Sequence, residues 1–387
     1  MDDTSFRITI AQSLTEIDRD GWDAVANPPG ERYDPFLSWD FLEALERAGA
    51  SAPNTGWSPC HLIVNGPGGA IQAAMPLYAK AHSQGEFVFD HSWADAYERA
   101  GGKYYPKLLA AVPFTPVTGR RRLVPPGPDQ ERLKDVLLAG AVQLADQNNF
   151  SSVHINFVDP MDAETLDAAG LLKRTDQQFH WENDGYSDFE DFLAAMSSAK
   201  RKNLRKERRR AQEGLTFQHI SGAQITEDHW DVFFEFYMDT GARKWGSPYL
   251  NRETFSILGQ RMADRILLIF AMDGDRPIAG ALNMIGSDTL YGRYWGCIEH
   301  RPLLHFEVCY YQAIDFALAN GLTRVEAGAQ GGHKLARGYA PVTTYSAHWI
   351  AHEGLRGAID DYLERERYAV KRDMEYLKDR TPFKKER

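Results

Sequence analysis

The stretch RILLIFAMDGDRPIAGALNMIGSDTLYGRYWGC, residues 265–297, decides how this chain is expected to fold. An apolar strand over Arg265–Met272 runs into Asp273-Gly274-Asp275-Arg276-Pro277, and a second apolar strand spans Ile278–Ile285. An Asp-Gly turn between two such runs is a strong short-range signal for an antiparallel hairpin. A third strand is expected near Thr289–Cys297, then a helix over Phe306–Ala319 and a closing strand at Arg324–Gly328. Upstream, His229–Thr240 reads as a helix. Antiparallel strands followed by a helix that leads into a closing strand make a mixed sheet with helices on its faces.

The first half repeats that order without repeating the residues. A helix around Ser38–Arg47 precedes strands at His61–Asn65 and Ala70–Tyr78, joined by a Gly-rich turn. A long irregular segment follows, then a helix at Glu131–Gln147 and a strand at Ser152–Phe157. With 387 residues, and about 150 residues per domain, two domains are expected. The boundaries read as 1–160 and 178–387, with a polar linker between them, a basic helix over 197–212 and a charged C-terminal helix over Leu355–Lys378.

Composition removes several classes of function. No run of about 18 apolar residues is present, so no membrane span is expected. The opening MDDTSFRITIAQS has no basic segment ahead of an apolar one, and a cytoplasmic location is the expectation. Cys60, Cys297 and Cys309 stand far apart without CxxC spacing, and the histidines show no ligand spacing, so no metal site is expected. A net charge of −10 argues against a protein that coats nucleic acid with its whole surface. Any polyanion must meet a local patch, and one basic run, Lys200–Arg210, supplies it.

Three segments resemble signatures of the FemAB-like family of peptidoglycan biosynthesis and recognition. The first runs from Trp93-Ala94-Asp95-Ala96-Tyr97-Glu98 through Tyr104-Tyr105-Pro106-Lys107-Leu108 to Pro113-Phe114-Thr115-Pro116-Val117. The second is Arg243-Lys244-Trp245-Gly246-Ser247-Pro248-Tyr249-Leu250. The third runs from Gly296-Cys297-Ile298-Glu299 through His305-Phe306-Glu307-Val308-Cys309-Tyr310-Tyr311-Gln312 to Glu326–Gly338. One departure is Gly332, where the family pattern has Glu. The resemblance implies an α/β fold of two tandem GNAT-like domains, with mixed, largely antiparallel sheets flanked by helices. It also implies amide-bond formation of the Fem aminoacyl-ligase kind, in which an aminoacyl group passes from charged tRNA to an amine.

The residues suit that chemistry. Acyl transfer to an amine needs a base, a place for negative charge on the tetrahedral carbon and a grip on the leaving group. Glu299, His305 and Glu307 cluster at the strand-to-helix passage of the second half, and His333 follows the closing strand; these four are the catalytic candidates. Gln330, Lys334 and Arg337 lie in the same Gly-rich loop and offer donors for a carboxylate or phosphate. Trp245 and Tyr249 flank a Gly-Ser-Pro turn and could stack on a base or wall off the acyl group. Asp95, Tyr97, Tyr104 and Lys107 sit in a segment too long to be a mere connection, a candidate substrate-binding loop.

In the basic run, Lys200, Arg201, Asn203 and Arg205 match a basic motif of the Fem ligases, and helical spacing puts Arg201, Arg205 and Arg208 on one side as a stripe for phosphates. No GxSxG elbow is present, so direct attack without a covalent intermediate is expected. No tightly bound cofactor is expected, and aminoacyl-tRNA or acyl-CoA would enter as co-substrate. A CoA-binding loop before the helix would need backbone donors, yet Glu299–His305 contains no glycine and includes Pro302. An acyl-CoA enzyme would therefore need side chains such as Arg120, Arg121 and Arg122. A non-catalytic module binding a cell-wall precursor or peptide remains a third reading. The acceptor, an amine-bearing small molecule or peptide, the acyl group and the oligomeric state stay open.

Overall fold

The structure, a computed structural model, describes residues 6–243, 248–328 and 331–384. It divides into two compact units: Met1–Asp176 with Thr343–Lys371, and Gln177–Val342 with Arg372–Arg387.

In the first unit, β1 (Arg7–Ala11) is followed by α1 (Arg19–Ala26), α2 (Trp39–Arg47), β2 (Trp57–Pro59), β3 (His61–Asn65), β4 (Ile71–Met75) and β5 (Leu77–Lys80). Then come α3 (His91–Arg99), β6 (Lys107–Ala110), α4 (Gln130–Gln147), β7 (Ser152–Val158) and α5 (Pro160–Ala168). Strands β1, β3 and β4 form a small antiparallel sheet, while β2, β5 and β6 pair antiparallel in a second. Strand β7 joins β6 in parallel, which requires the crossover helix α4. Residues Leu133, Leu137, Ala141 and Ala145 recur at helical spacing along α4 and are buried with Leu62, Leu108, Val153 and Ile155.

The long strand β8 (Leu172–Glu182) begins in the first unit and ends in the second. The second unit continues with α6 (Phe189–Ala195), α7 (Ser198–Ala211), β9 (Thr216–Ser221), α8 (Glu227–Arg243), α9 (Arg252–Met262), β10 (Ile266–Asp273), β11 (Arg276–Ile285) and β12 (Thr289–Cys297). One turn of helix, α10 (Leu304–Phe306), leads through a wide π turn (Glu307–Tyr311) into α11 (Gln312–Ala319), and β13 (Arg324–Glu326) follows. The strand order is β8-β13-β12-β11-β10-β9, antiparallel except for the β12–β13 pair. The hairpin expected from Asp273-Gly274 is present, with Gly274 at φ 59° as such a turn requires. Finally β14 (Ala340–Ile350) pairs antiparallel with β7 in the first unit, and α12 (Glu353–Lys378) is the last helix of the described residues.

Two expectations need correction. The irregular segment of the first half contains both α3 and β6, the central partner of β5 and β7. And the second domain is not continuous: Thr343–Lys371 belongs to the first unit, because Tyr345–Ile350 completes its sheet beside β7.

Candidate functional site

The site is built where β12 and β13 part. The two strands pair only at Thr289–Tyr291 with Arg324–Glu326, after which β13 ends and β12 continues to Cys297. Among the described residues, Gly292–Cys297 therefore has a strand partner on the β11 side alone. A register shift against β11 leaves Arg293 without an opposite residue, so the strand bulges at this point. Gly296 permits the close approach of α8: a Cβ there would stand 2.0 Å from the Phe236 carbonyl oxygen.

Polar groups from four elements meet at this divergence. Glu326 ends β13, and His180 of β8 points its Nδ1 to within 3.8 Å of the carboxylate. Burial pulls the His180 imidazole down to about 3, so it is neutral at ordinary pH. Lys334 is 1% exposed and donates from Nζ to the Gly328 carbonyl at 2.7 Å. Burial first, with the Arg293 guanidinium adding to it, pulls Lys334 down to about 8, against the opposing influence of Cys309. Sequence reasoning missed His180, Arg293 and Glu326, since each belongs to a different strand and only the sheet order brings them together.

Beside this polar group stands an aromatic and imidazole cluster. The His305 ring lies 5.2 Å from Trp295, 5.4 Å from Tyr310 and 6.2 Å from His333, centre to centre. His333 is exposed, and its Nε2 is 2.9 Å from the Tyr310 hydroxyl. Burial lowers the His333 pKa, with Arg337 and Lys334 pushing the same way. Arg337 lies over Phe306, 3.4 Å from the ring centre, and donates to the His333 carbonyl at 2.8 Å. Both of its remaining bonds go to the Glu207 carboxylate, which also accepts from Tyr311 at 2.5 Å.

Of the expected catalytic residues, His305 and His333 are brought together and the two glutamates are not. Glu299 is held at the surface by Arg276 at 2.5 Å and Arg301 at 2.7 Å. Glu307 is fully buried in the π turn, where its Oε1 accepts from Arg208, Gln212 and Gln312 at 3.2, 2.8 and 2.8 Å. Burial raises its pKa against the lowering effect of Arg208. It ties α7 to the π turn and has no open path to a substrate.

The first-half candidates are also displaced. Tyr104 and Lys107 have no exposed surface: Tyr104 donates to Asp90 at 2.7 Å, and Lys107 donates to Ser83, Glu86 and Asp90 at 2.8, 2.7 and 2.5 Å. Tyr97 packs against His352, and Asp95 is exposed on α3. They form a helix and a buried ion cluster. Trp245 and Gln330 lie outside the described residues, and Tyr249 is 41% exposed. Arg120 donates to the Ala26 carbonyl, Arg121 to Asn156, Arg120 and Val117 carbonyls, and Arg122 to Asp162. With Arg121 and Arg122 buried, this trio cannot serve as the pyrophosphate grip of an acyl-CoA enzyme.

The phosphate stripe on α7 is turned from its expected position. Arg208 faces inward, shared between Glu307 and Asp315, and Arg205 pairs with Glu190. Arg201 is half-buried, while Lys200 and Asn203 are exposed. The outer face is instead carried by the exposed Lys202, Lys206 and Arg209, at helical spacing i, i+4 and i+7. At the start of α10 the N–H groups of Leu304, Phe306 and Glu307 are taken by carbonyls of Arg301 and Leu303. Among the described residues no group of His, Cys, Asp and Glu is arranged to hold a metal ion, and no helix is long and apolar enough to cross a membrane.

A family model described as FemAB-like, peptidoglycan biosynthesis/recognition, matches residues 13–385. The chain belongs to the FemAB-like family. The crystal structure of FemX superposes with a TM-score of 0.55 at 14% identity, covering 89% of this chain and 98% of FemX. The L-PGS of Bacillus licheniformis gives 0.50 at 12% identity, covering 84% and 95%. A protein of unknown function from Bacteroides thetaiotaomicron gives 0.52 at 12% identity, covering 88% and 99%. A search of curated proteins finds no match. At these identities the likeness concerns the fold: this FemAB-like chain is an α/β protein with mixed sheets flanked by helices, an architecture it shares with FemX.

Proposed function

We propose that this FemAB-like protein is an N-acyltransferase that moves an aminoacyl group from aminoacyl-tRNA to an amine by direct attack. The supporting observation is that one helix serves both needs. The inner face of α7 fixes the site, through Glu207 on Arg337 and Arg208 on Glu307, while its outer face carries Lys202, Lys206 and Arg209. A cationic helix face of this kind suits the phosphates of an RNA acceptor end. The inward use of the first N–H groups of α10 and the burial of Arg121 and Arg122 weigh against a CoA pyrophosphate.

In this reading the aminoacyl ester lies along the uncovered edge of β12. His333, when its Nε2–H donates to Tyr310, has Nδ1 free to take a proton from the attacking amine. Arg293 and Lys334 supply positive charge for the oxyanion and for the departing ribose hydroxyl. The acceptor is an amine of a cell-wall precursor or a related peptide, in keeping with the family's description.

The test is binding of purified protein to aminoacyl-tRNA and, separately, to acyl-CoA, at two salt concentrations. Tight tRNA binding that weakens steeply with salt, and falls when Lys202 and Lys206 are changed to Ala, supports the proposal. Binding of acyl-CoA alone, indifferent to those lysines, overturns it.

A further inference from the structure

A buried acceptor of the second unit faces the uncovered edge of β12 without a donor. Asn283 of β11 is 1% exposed, and its Nδ2 donates to the Leu267 carbonyl at 3.3 Å. A carbonyl has no proton to give, so the amino end of the side-chain amide must be the end that lies on Leu267. The other end, Oδ1, is buried, and among the described residues it receives no hydrogen bond. A buried acceptor without a donor is costly, and an apolar side chain of the same shape would avoid the cost. An amide at such a position calls for a donor from outside the fold.

The surroundings show where that donor would arrive. Asn283 faces Gly292 across the β11–β12 ladder. Gly292 is the first residue of β12 beyond the last pairing with β13, Tyr291 with Glu326, so it stands at the inner end of the uncovered edge. A Cβ on Gly292 would lie 3.4 Å from Asn283 Oδ1 and 3.3 Å from the Glu326 carbonyl oxygen, and the next nearest atom is the Ala327 Cα at 3.7 Å. The space that a side chain would fill is therefore bordered by oxygen acceptors. Gly292 is partly exposed, which leaves that space open to the edge. Its backbone is not left-handed, so what glycine provides here is room rather than an unusual conformation.

Room bordered by acceptors suits a small group that carries N–H. In the transfer reaction proposed above, on which this inference rests, the aminoacyl ester lies along the same edge. The tRNA is far too large for the inner end, so the acyl portion is the part that reaches it. The N–H group common to α-aminoacyl esters is the α-amino group, and a plain acyl ester has none. With Arg293 next in the strand, positive charge favours the amine in its neutral form, which still has hydrogens to give. We propose that Asn283 selects an aminoacyl donor over a plain acyl donor, its Oδ1 accepting an α-amino hydrogen in the room that Gly292 leaves beside the Glu326 carbonyl.

The test is filter binding of the full chain to one tRNA in three forms: charged with alanine, charged with propionate, and uncharged. The two acyl groups differ only in the α-amino group. Wild-type protein is expected to hold alanyl-tRNA about tenfold more tightly than propionyl-tRNA, the scale of one buried acceptor gaining its donor. Asn283→Leu, an apolar side chain of similar shape, should bring that ratio to about one and leave binding of uncharged tRNA unchanged. Gly292→Ala, whose methyl group needs only a small adjustment of its neighbours, should lower the ratio in the same way. Equal binding of the two charged forms by wild-type protein overturns the proposal without any variant having to fold, and so does a preference that persists in Asn283→Leu. Either result leaves the transferase reading standing while uncharged tRNA binds through Lys202 and Lys206. Failure of all three forms to bind would remove that reading and this inference together.

Discussion

Arg337 and Glu207 form a two-bond fork, with Nε and Nη2 each 2.9 Å from a carboxylate oxygen, while the same guanidinium covers the Phe306 ring. The pair joins the loop that carries His333 to the inner face of α7. Arg337 is 8% exposed, so the bond is shielded from the screening that makes surface pairs weak.

Arg337→Lys should therefore behave as a disruptive change. A lysine cannot make the planar fork or lie flat on Phe306. A loss of about 1–3 kcal/mol in unfolding free energy is expected. Acyl-transfer activity should fall further than stability predicts, because the Arg337 bond to the His333 carbonyl is lost with it. Urea unfolding and single-turnover transfer, measured on the same variant, separate the two effects.

The α7 helix gives a prediction about charge. Changing Lys202, Lys206 and Arg209 together to Ala should leave the melting temperature nearly unchanged, since all three are exposed. The slope of log affinity for RNA against log salt should become shallower by about 2, from three lost phosphate contacts at about 0.7 each. Arg208→Ala should do the reverse: it strands the buried Glu307 carboxylate and lowers stability by several kcal/mol. Thermal melts and salt-dependent filter binding on both variants provide the check.

That contrast also shows what the sequence can and cannot convey. Periodicity placed α7 and its cationic character, but which face turns inward depends on Leu204 and Ala211 being buried and on Glu307 lying opposite Arg208, contacts about 100 residues apart in the chain. The β10–β11 hairpin was legible because its signal is local, two apolar runs about Asp273-Gly274. Strand β6 was not, because it is four residues, Lys107–Ala110, whose first side chain is a lysine buried in an ion cluster. His305 and His333 were found through motif strings in one region, whereas His180, Arg293 and Glu326 converge only once β8, β12 and β13 are ordered in the sheet.

The paired imidazoles of the first unit should make stability fall with acid. His348 is held well below its ordinary pKa by burial first, with His154 adding to it. Below about pH 6.5 the unfolded chain takes up a proton at this position and the folded chain does not, so stability is lost as the pH falls. Each such group contributes about 1.4 kcal/mol per pH unit. Between pH 6 and pH 5, wild-type protein should lose about that much more unfolding free energy than His348→Gln. Parallel slopes in urea titrations would contradict the buried neutral state.

Two glycines beside the site should respond in opposite ways. At Gly296 a methyl group would meet the Phe236 carbonyl oxygen at 2.0 Å, and neither α8 nor β12 can withdraw without breaking its own hydrogen bonds. Gly296→Ala should cost several kcal/mol and yield little soluble protein. At Gly332, where the family pattern has Glu, a Cβ meets nothing within 4 Å and the backbone is not left-handed. Gly332→Glu should therefore fold with a melting temperature close to that of the parent. The new carboxylate would stand next to His333 in sequence, where negative charge stabilises the imidazolium and raises its pKa. The acidic limb of the pH–rate profile should then move to higher pH, as expected for a base that must be neutral to act. An unmoved limb in a well-folded Gly332→Glu protein would remove His333 from the role of base and leave Lys334 as the group to test.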